Sequence, residues 1–312
     1  MIDKREERKE LDCLTIQIMN TDFYIAVTDC LQKNWKDVIS GWLHYVEKEW
    51  SRFRTDNELA RINQLKTGEK VIVSPPLIDV LLHAESYRQK SGGFFSPYLL
   101  PQLQFHGYAH SFPFRLGKPE TGKPPAVFDV QISPFRFNRK ASTVERAAPG
   151  QIDLGGIGKG YAVQATANWL KNIGGAKTGI VDGGGDIIVW SDGSKTWTIG
   201  VANPHDTDLD ITQYRIQNGS LATSNIIYRS WMQGNEKKHH LINGKTGQPV
   251  GTTIIQATAI TDNCLDAEVM AKLCFMEKGQ TLASLLTAIN PNYTILLVNE
   301  NGNMIHSSGG AL

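Results

Sequence analysis

The sequence lacks both a long hydrophobic run and an excess of charge of either sign. No stretch of its 312 residues approaches the ~20 apolar residues needed to span a bilayer. Its 32 basic and 31 acidic side chains nearly cancel, so no broad basic field is available for nucleic acid or an anionic membrane. We therefore expect no nucleic-acid partner and no membrane partner. An anionic ligand would be bound locally by backbone amides, a metal ion or a few cations.

Cysteine is also scarce, and its four residues form no C-x-x-C pair. Free cysteines are typical of a reducing compartment, where the thiol packs as a small apolar group. Cys264 and Cys274 are predicted to be core residues of one helix. The N-terminal segment MIDKREERKELD is charged throughout and has no apolar region typical of a secretory signal. These features predict a cytoplasmic protein.

The order of the predicted elements favours an α+β fold in one domain. Strands are mixed with four or five helices without strict β–α alternation, which argues against a doubly wound sheet. A charged N-terminal extension is expected over residues 1–13 and the domain over 14–312, with two lobes allowed within it. The predicted strands include 14–27, 178–181 and 293–299, and the predicted helices include 35–53, 77–91, 160–172 and 265–277. The N-cap candidates are Asp56 or Asn57 for a short helix and Asp262 or Asn263 for the last of these helices.

A glycine-rich stretch, QIDLGGIGKGYAV over residues 151–163, has the composition of a phosphate-binding loop. A P-loop needs four residues between its first glycine and a Gly-Lys pair that is followed by Ser or Thr, and here Gly156 and Lys159 are too close. The dinucleotide fingerprint G-x-G-x-x-G also fails, because the last glycine is Gly160 rather than residue 161. On its own, the stretch identifies no nucleotide site.

Several polar or glycine-rich clusters accompany this stretch, and their order carries more information than any one of them. Residues 153–161, DLGGIGKGY, differ only at Gly158 from the motif DLGGIAKGY of the ApbE-like family, the FAD:protein FMN transferases. VDGGGD at 181–186 resembles the family's I-N-x-G-G-D, and HLINGKTGQP at 240–249 resembles its H-I-[IL]-D-P-[RK]-T-G-x-P. Shorter matches are MNT at 19–21, the segment 51–63 and TSN at 223–225. The chain therefore resembles this family over about residues 14–300.

The resemblance implies a reaction and a fold. FAD would be cleaved at its pyrophosphate with the help of Mg²⁺, and FMN would be transferred to the Ser or Thr of an acceptor motif in a partner flavoprotein, with release of AMP. Phosphoryl transfer of this kind depends mostly on positioning and on charge neutralisation by a divalent ion. The fold implied is an ApbE-like arrangement of mixed sheets with flanking helices, with the ligand cleft between two lobes.

The resemblance also implies roles for single residues. The implied catalytic residues are His240, Asp266 and Asn243. The implied magnesium ligands are the Gly158 carbonyl, Asp266 and the residue at the position of Met270. The implied contacts to the flavin, the adenine or the phosphates are Met19, Phe53, Phe95, Ser96, Gly155, Lys159, Tyr161 and Leu241.

Several departures from the family pattern lie close to this chemistry. Met270 stands where the family has Thr, four residues after Asp266 on the same helix face, and a thioether is a poor partner for Mg²⁺. Asp262, one turn earlier if the helix extends that far, is a candidate substitute ligand. Asn243 and Ser96 each replace an Asp of the family. A non-catalytic FAD-binding or regulatory homologue, and an FAD pyrophosphatase that uses water, therefore remain as alternatives.

Some individual roles also stay open. Lys159 pairs either with phosphate or with Asp153. Tyr161 either lines the ligand site or packs as an ordinary core aromatic. His240 would contact phosphate or assist proton transfer, and its neighbour His239 is expected to be exposed.

Overall fold

The structure, a computed structural model, describes residues 11–113 and 122–310 and combines strands with helices in these ranges. The strands are β1 (Asp12–Ile18), β2 (Thr21–Thr28), β3 (Lys70–Ile72), β4 (Phe135–Asn138), β5 (Thr143–Arg146), β6 (Thr178–Asp182), β7 (Asp186–Trp190), β8 (Trp197–Asn203), β9 (Asp206–Ile216), β10 (Gly219–Asn225), β11 (Ser230–Gln233), β12 (Glu236–His239), β13 (Ile254–Thr261), β14 (Tyr293–Asn299) and β15 (Met304–Gly309). The helices are α1 (Trp35–Trp50), α2 (Glu58–Gln64), α3 (Pro75–Lys90), α4 (Leu100–Phe105), α5 (Gly158–Asn172), α6 (Cys264–Leu273) and α7 (Gly279–Ile289). This mixture confirms the predicted α+β class.

Eight strands form one antiparallel sheet in the order β1-β2-β6-β7-β10-β13-β14-β15. Helices α1, α5 and α6 cover one face of this sheet, where they form the main hydrophobic core. The β8–β9 ribbon covers part of the other face, with Trp197 and Ile199 packed against Ile187 and Val189. Because both faces of β7 are covered, its whole DIIVW run is buried. The helical face of the sheet is the one that positions the candidate site.

The first sheet hairpin differs from its prediction. A single strand was expected over residues 14–27, but β1 and β2 pair as a hairpin in which Ile18 lies opposite Thr21. Met19 and Asn20 form the two-residue turn, with φ angles of 52° and 59°. A two-residue hairpin turn of this kind requires positive φ at both positions, and Asn is one of the residues that tolerates it. The strand β1 also begins at Asp12, inside the segment that was expected to be an N-terminal extension.

Two predicted helix caps are confirmed. The Asn57 side chain accepts a hydrogen bond from the amide of Ala60 at 2.8 Å, at the start of α2. The Asn263 side chain accepts from two amides in the first turn of α6. Since α6 begins at Cys264, Asp262 lies outside the helix, and the idea that it shares a helix face with the implied metal ligands is wrong.

The cysteine prediction also holds. Cys264 and Cys274 are buried at the two ends of α6, with 0% and 2% of their surface exposed. All four cysteines are free thiols. Within residues 11–113 and 122–310, none of the helices combines the length and the apolar character needed to cross a membrane.

Candidate functional site

A cleft of about 270 Å³ opens beside the start of α5. Its walls come from distant parts of the chain: the β1–β2 turn, the end of α1, the segment before α4, the glycine-rich loop, the segment after β12 and the end of α6. Nine of the residues implied by the resemblance line it, namely Met19, Phe53, Phe95, Ser96, Gly155, Gly158, Lys159, His240 and Leu241. The fold therefore brings most of the sequence-derived set to one place.

One wall of the cleft is apolar and aromatic. Phe95 and Leu241 are buried in it, whereas Phe53 is 39% exposed. The Arg52 guanidinium lies 4.3 Å from the ring centroids of both Phe53 and Tyr108, which is cation–π distance. This stacking presents a flat surface at the mouth of the cleft, suited to an aromatic ligand.

The glycine-rich loop forms the floor of the cleft. A Cβ atom built on Gly156 would lie only 3.1 Å from the Phe95 ring, so a side chain here would force that ring to move. The loop leads into α5, whose first-turn amides carry the positive end of the helix dipole. Gly160 donates its amide hydrogen to Glu268 Oε2 at 2.9 Å. The loop is thus fixed from behind by a carboxylate of α6.

Lys159 has a partner that neither open alternative named. Its ammonium group pairs with Asp186, a carboxylate on β7 whose side chain is only 3% exposed. Asp153 instead pairs with Arg52, at 3.1 Å between Oδ1 and Nε. Burial lowers the pKa of Lys159, but the carboxylates of Asp186 and Glu268 outweigh that effect and raise it. Lys159 is therefore a fixed cation at the start of α5.

The end of α6 adds a second buried ion pair that the sequence interpretation missed. Lys272 lines the cleft, and its Nζ lies 3.0 Å from Glu268 Oε1. Glu268 is 1% exposed, and burial raises the pKa of its carboxyl group. The spacing of four residues on a helix was the available signal, because side chains at i and i+4 lie on one face.

Two more cleft residues complete the charge pattern. The His240 Nδ1 atom lies 3.3 Å from the Arg229 backbone oxygen, and both residues line the cleft. Burial, together with the Arg229 guanidinium, lowers the pKa of His240 to about 3. The imidazole is therefore neutral near pH 7, and if Nδ1 carries the hydrogen, Nε2 is free to accept a proton.

His239 corrects an expectation. It is 8% exposed rather than solvent-facing, and its Nε2 atom lies 3.0 Å from the Val250 oxygen. His239 is the last residue of β12, and side chains of successive residues in a strand point to opposite sides. His239 therefore contacts Val250, whereas His240 lines the cleft.

Four residues of the sequence-derived set lie outside the cleft lining, and two of them serve local structure. The Tyr161 hydroxyl donates to Asp79 Oδ2 at 2.7 Å, and its ring packs 5.4 Å from the Trp50 ring centroid. This contact favours the ordinary-packing alternative for Tyr161. The Asn243 side chain accepts a hydrogen bond from the Lys245 amide at 2.9 Å and closes the turn after the cleft segment.

The other two residues outside the lining are the implied magnesium ligands of α6. Both Asp266 carboxylate oxygens are hydrogen-bonded, one by the Tyr87 hydroxyl at 2.6 Å and one by the Asn290 amide group at 3.0 Å. Met270 is fully buried, with 0% of its surface exposed. Over the parts of the chain that the structure describes, no group of three or more His, Cys, Asp or Glu residues could hold a metal. Asn290 also donates to Asp262 Oδ1 at 2.8 Å, so the two carboxylates are held by one amide group away from the cleft lining. With a thioether at Met270, the residues implied as ligands on α6 do not present to the cleft the hard oxygen set that Mg²⁺ prefers.

Comparison with known proteins places the chain that forms this cleft in a family. A model described as the ApbE family matches residues 19–297. The chain belongs to the ApbE family. The FAD:protein FMN transferase of Treponema pallidum is 25% identical over 256 residues, covering 75% of this chain and 68% of that protein. The enzyme of the same name from Vibrio cholerae is 24% identical over 246 residues, covering 75% and 70%.

A solved structure supports the ApbE fold independently. The crystal structure of the ApbE protein from Thermotoga maritima superposes with a TM-score of 0.80 and covers 96% of this chain and 97% of its own. At 22% sequence identity, this likeness establishes the fold. The low identity fits a divergent member of the ApbE family.

Proposed function

We propose that this protein binds FAD in the cleft, cleaves it at the pyrophosphate and transfers FMN to a Ser or Thr hydroxyl of an acceptor flavoprotein. The relatives described above are FAD:protein FMN transferases, which supports this reaction class. The observation that carries the proposal is the meeting of an aromatic wall and a cationic wall across one glycine-rich loop. A flavin needs the first wall and a diphosphate needs the second.

The two walls suggest how FAD would lie. The isoalloxazine ring would rest on the aromatic side, near Phe53, Phe95 and Leu241, and the diphosphate would lie toward Lys272 and Arg229. The cleft volume of about 270 Å³ is near the lower end of the ~300–1,000 Å³ typical of small-molecule sites. A dinucleotide would therefore extend from the cleft toward its open side, where an acceptor protein could reach the phosphorus atom.

The transfer requires few chemical groups. A bond forms between the acceptor oxygen and the phosphorus of the FMN half, and the bond from that phosphorus to the oxygen of AMP breaks. The hydroxyl proton must leave, and the neutral imidazole of His240 is a group in the cleft that can accept it. Phosphate binding would also neutralise Arg229 and Lys272, two of the charges that lower the pKa of His240, and so make it a stronger base.

Fixed cations would stabilise the charge on the phosphates during this transfer. The family resemblance implies Mg²⁺ in that role, but Asp266 and Met270 do not present suitable ligands to the cleft. We therefore assign charge neutralisation to the side chains of the cleft. Asn243 is proposed only to hold the turn that carries His240 and Leu241.

An acceptor-labelling experiment tests the proposal. The protein is incubated with FAD, Mg²⁺ and a flavoprotein domain that carries a Ser/Thr acceptor motif, and the intact mass of the domain is measured. We expect the acceptor to gain the mass of one FMN, with AMP released in equal amount. An acceptor whose Ser or Thr is replaced by Ala is the matched control and should gain nothing.

Two other outcomes would support the alternatives instead. Release of AMP and free FMN without labelling of the acceptor would identify an FAD pyrophosphatase. FAD that stays bound and intact would identify a non-catalytic FAD-binding protein, which Met270 at the family's Thr position would then explain.

A further inference from the structure

The α6 helix turns different residues toward the cleft than the family resemblance implies. Met270 is fully buried in the core, and Asp266 is hydrogen-bonded to Tyr87 and Asn290. Lys272, which the resemblance did not single out, lines the cleft from the last turn of the same helix. The side chain that α6 offers to a ligand is therefore a cation.

Two hydrogen bonds to Glu268 hold the Lys272 ammonium group in place. Its Nζ atom donates to Glu268 Oε1 at 3.0 Å and to the Glu268 backbone oxygen at 3.2 Å. An ammonium group has three hydrogens, so one donor is left for a ligand in the cleft. The Lys272 side chain is 11% exposed, which means that this donor acts in a largely dry environment.

Glu268 ties this lysine to the glycine-rich loop. Its Oε1 atom accepts from Lys272, and its Oε2 atom accepts from the Gly160 amide at 2.9 Å. A Cβ built on Gly156 would lie 3.8 Å from Lys272 Cε, so the lysine stem lies directly against the loop. One buried carboxylate therefore fixes both the ammonium group and the loop that faces it.

Among the described residues, four cationic side chains line the cleft, namely Arg52, Lys159, Arg229 and Lys272. Lys159 and Arg52 are each paired with a carboxylate. Arg229 also lines the cleft, and no ion pair is found for it within the described ranges. The free donor of Lys272 and the guanidinium of Arg229 are thus two cationic groups that line the cleft and can bind an anionic ligand.

We propose that Lys272 is a phosphate-binding residue which, oriented by Glu268 and together with Arg229, neutralises the diphosphate of FAD in place of a divalent metal ion. The proposal takes FAD as the ligand and so rests on the proposed function. An ammonium group on α6 then supplies the positive charge that a metal ion would otherwise supply beside the diphosphate.

The affinity for FAD, measured by quenching of flavin fluorescence, tests this inference without relying on activity. In the unaltered protein, we expect the Kd for FAD in excess EDTA to equal that in Mg²⁺ to within about twofold, since charged hydrogen bonds replace the ion. Lys272→Ala should raise the Kd for FAD about tenfold or more, the loss expected for a charge-assisted hydrogen bond. The Kd for riboflavin, which has no phosphate, should not change. Lys140→Ala, an exposed lysine in the β4–β5 turn, is the matched control and should leave both affinities unchanged.

A second variant guards against misfolding. Lys272→Ala leaves Glu268 buried without its cation, whereas the double variant Glu268→Gln/Lys272→Met removes both charges and keeps similar side-chain volumes. We expect the double variant to keep its affinity for riboflavin and to lose affinity for FAD by about tenfold or more, as the single variant does.

Different results separate this inference from the proposed function. Binding of FAD that weakens about tenfold or more when Mg²⁺ is removed would overturn the inference and leave the transfer reaction intact. Equal losses of FAD and riboflavin affinity in both variants would also overturn it, since the effect would not concern the phosphates. Binding of FAD in EDTA without labelling of the acceptor would leave the inference standing and contradict the transfer reaction. Absence of FAD binding under both conditions would contradict both.

Discussion

The glycine-rich loop and the wall formed by α6 meet at the start of α5, and they have diverged from the family pattern to different extents. The loop at residues 153–161 differs from the ApbE motif only at Gly158, whereas α6 carries Met270 at the family's Thr position and presents Lys272 to the cleft. The loop approaches its neighbours through its backbone, so its sequence is restricted by the space around Gly156 and Gly160. The α6 wall acts through charge, which chemically different groups can supply. Few residue types can replace a glycine where two backbones or rings approach closely, whereas several kinds of cation can neutralise a phosphate.

The largest expected effect comes from breaking the ion pair behind the loop. Lys159→Met would leave Asp186, which is 2% exposed, without its cation. We expect the free energy of unfolding at neutral pH to fall by about 3–5 kcal/mol, the usual cost of leaving a buried charge unpaired. Urea unfolding measures this loss. Lys140→Met at an exposed position should change stability by less than about 0.5 kcal/mol, and an equally small effect at Lys159 would contradict the comparison.

A smaller effect on stability is expected at Gly160, where the glycine-rich loop contacts α6. A Cβ built on Gly160 would lie 2.6 Å from Glu268 Oε2 and 3.2 Å from the Cys264 backbone oxygen. Gly160→Ala should therefore cost about 1–3 kcal/mol of unfolding free energy, as overpacking does. A Cβ built on Gly41, in α1, would meet no atom within 4 Å, so Gly41→Ala should instead stabilise the protein by about 0.5–1 kcal/mol. Opposite signs in the same denaturation assay would confirm that the loop tolerates no side chain here.

The α6 wall should respond to polarity at its buried position. Met270→Thr places a hydroxyl group where the side chain is fully buried, and we expect a loss of about 1–2 kcal/mol of unfolding free energy. Met270→Leu, which keeps the position apolar, should cost less than about 1.5 kcal/mol and less than the Thr variant in the same assay. Adding Mg²⁺ should not raise the Tm of the unaltered protein. A rise in that Tm would show that the α6 wall binds the ion after all.

A pH-dependent effect on stability is expected from His240. Its pKa is lowered to about 3 by burial and by the Arg229 guanidinium, whereas an unfolded chain has an imidazole pKa of about 6.5. Below about pH 6.5 the unfolded state takes up a proton that the folded state does not accept until about pH 3, so stability falls as pH falls through this window.

The matching measurement compares unfolding free energies between about pH 7 and pH 4 in the unaltered protein and in His240→Gln. The unaltered protein should lose stability more steeply as the pH decreases. His239 and His106, whose pKa values are also lowered by burial, are present in both proteins and cancel in the difference. Identical slopes would mean that folding does not lower the pKa of His240.

Features set by a few neighbouring residues could be predicted from the sequence. The caps at Asn57 and Asn263 and the strand Tyr293–Asn299 are found where they were expected, because a cap or a strand depends on local side chains. The polar residues Asn20 and Thr21 interrupt the predicted strand 14–27, but the turn itself was not predicted, since Met19 is not a typical turn residue. Helix α7 and strand β15 were also not predicted.

The charge network around the cleft could not be predicted, because it joins residues that are far apart in sequence. Glu268 contacts the amide of Gly160, and Lys159 pairs with Asp186, across separations that no local pattern encodes. Similarly, the Tyr161 side chain points from α5 toward α3, where its hydroxyl group donates to Asp79. The resemblance predicted which segments form the cleft, but the partners of each side chain required the fold.

A crystal structure of the protein with FAD and Mn²⁺, in which anomalous scattering locates the metal, tests most directly whether a lysine has taken the place of the ion. We expect Lys272 Nζ within hydrogen-bonding distance, about 2.7–3.2 Å, of a diphosphate oxygen, and Asp266 still bound to Tyr87 and Asn290 with no metal beside it. A metal ion coordinated by Asp266 and the Gly158 carbonyl, with Lys272 turned away from the phosphates, would contradict it.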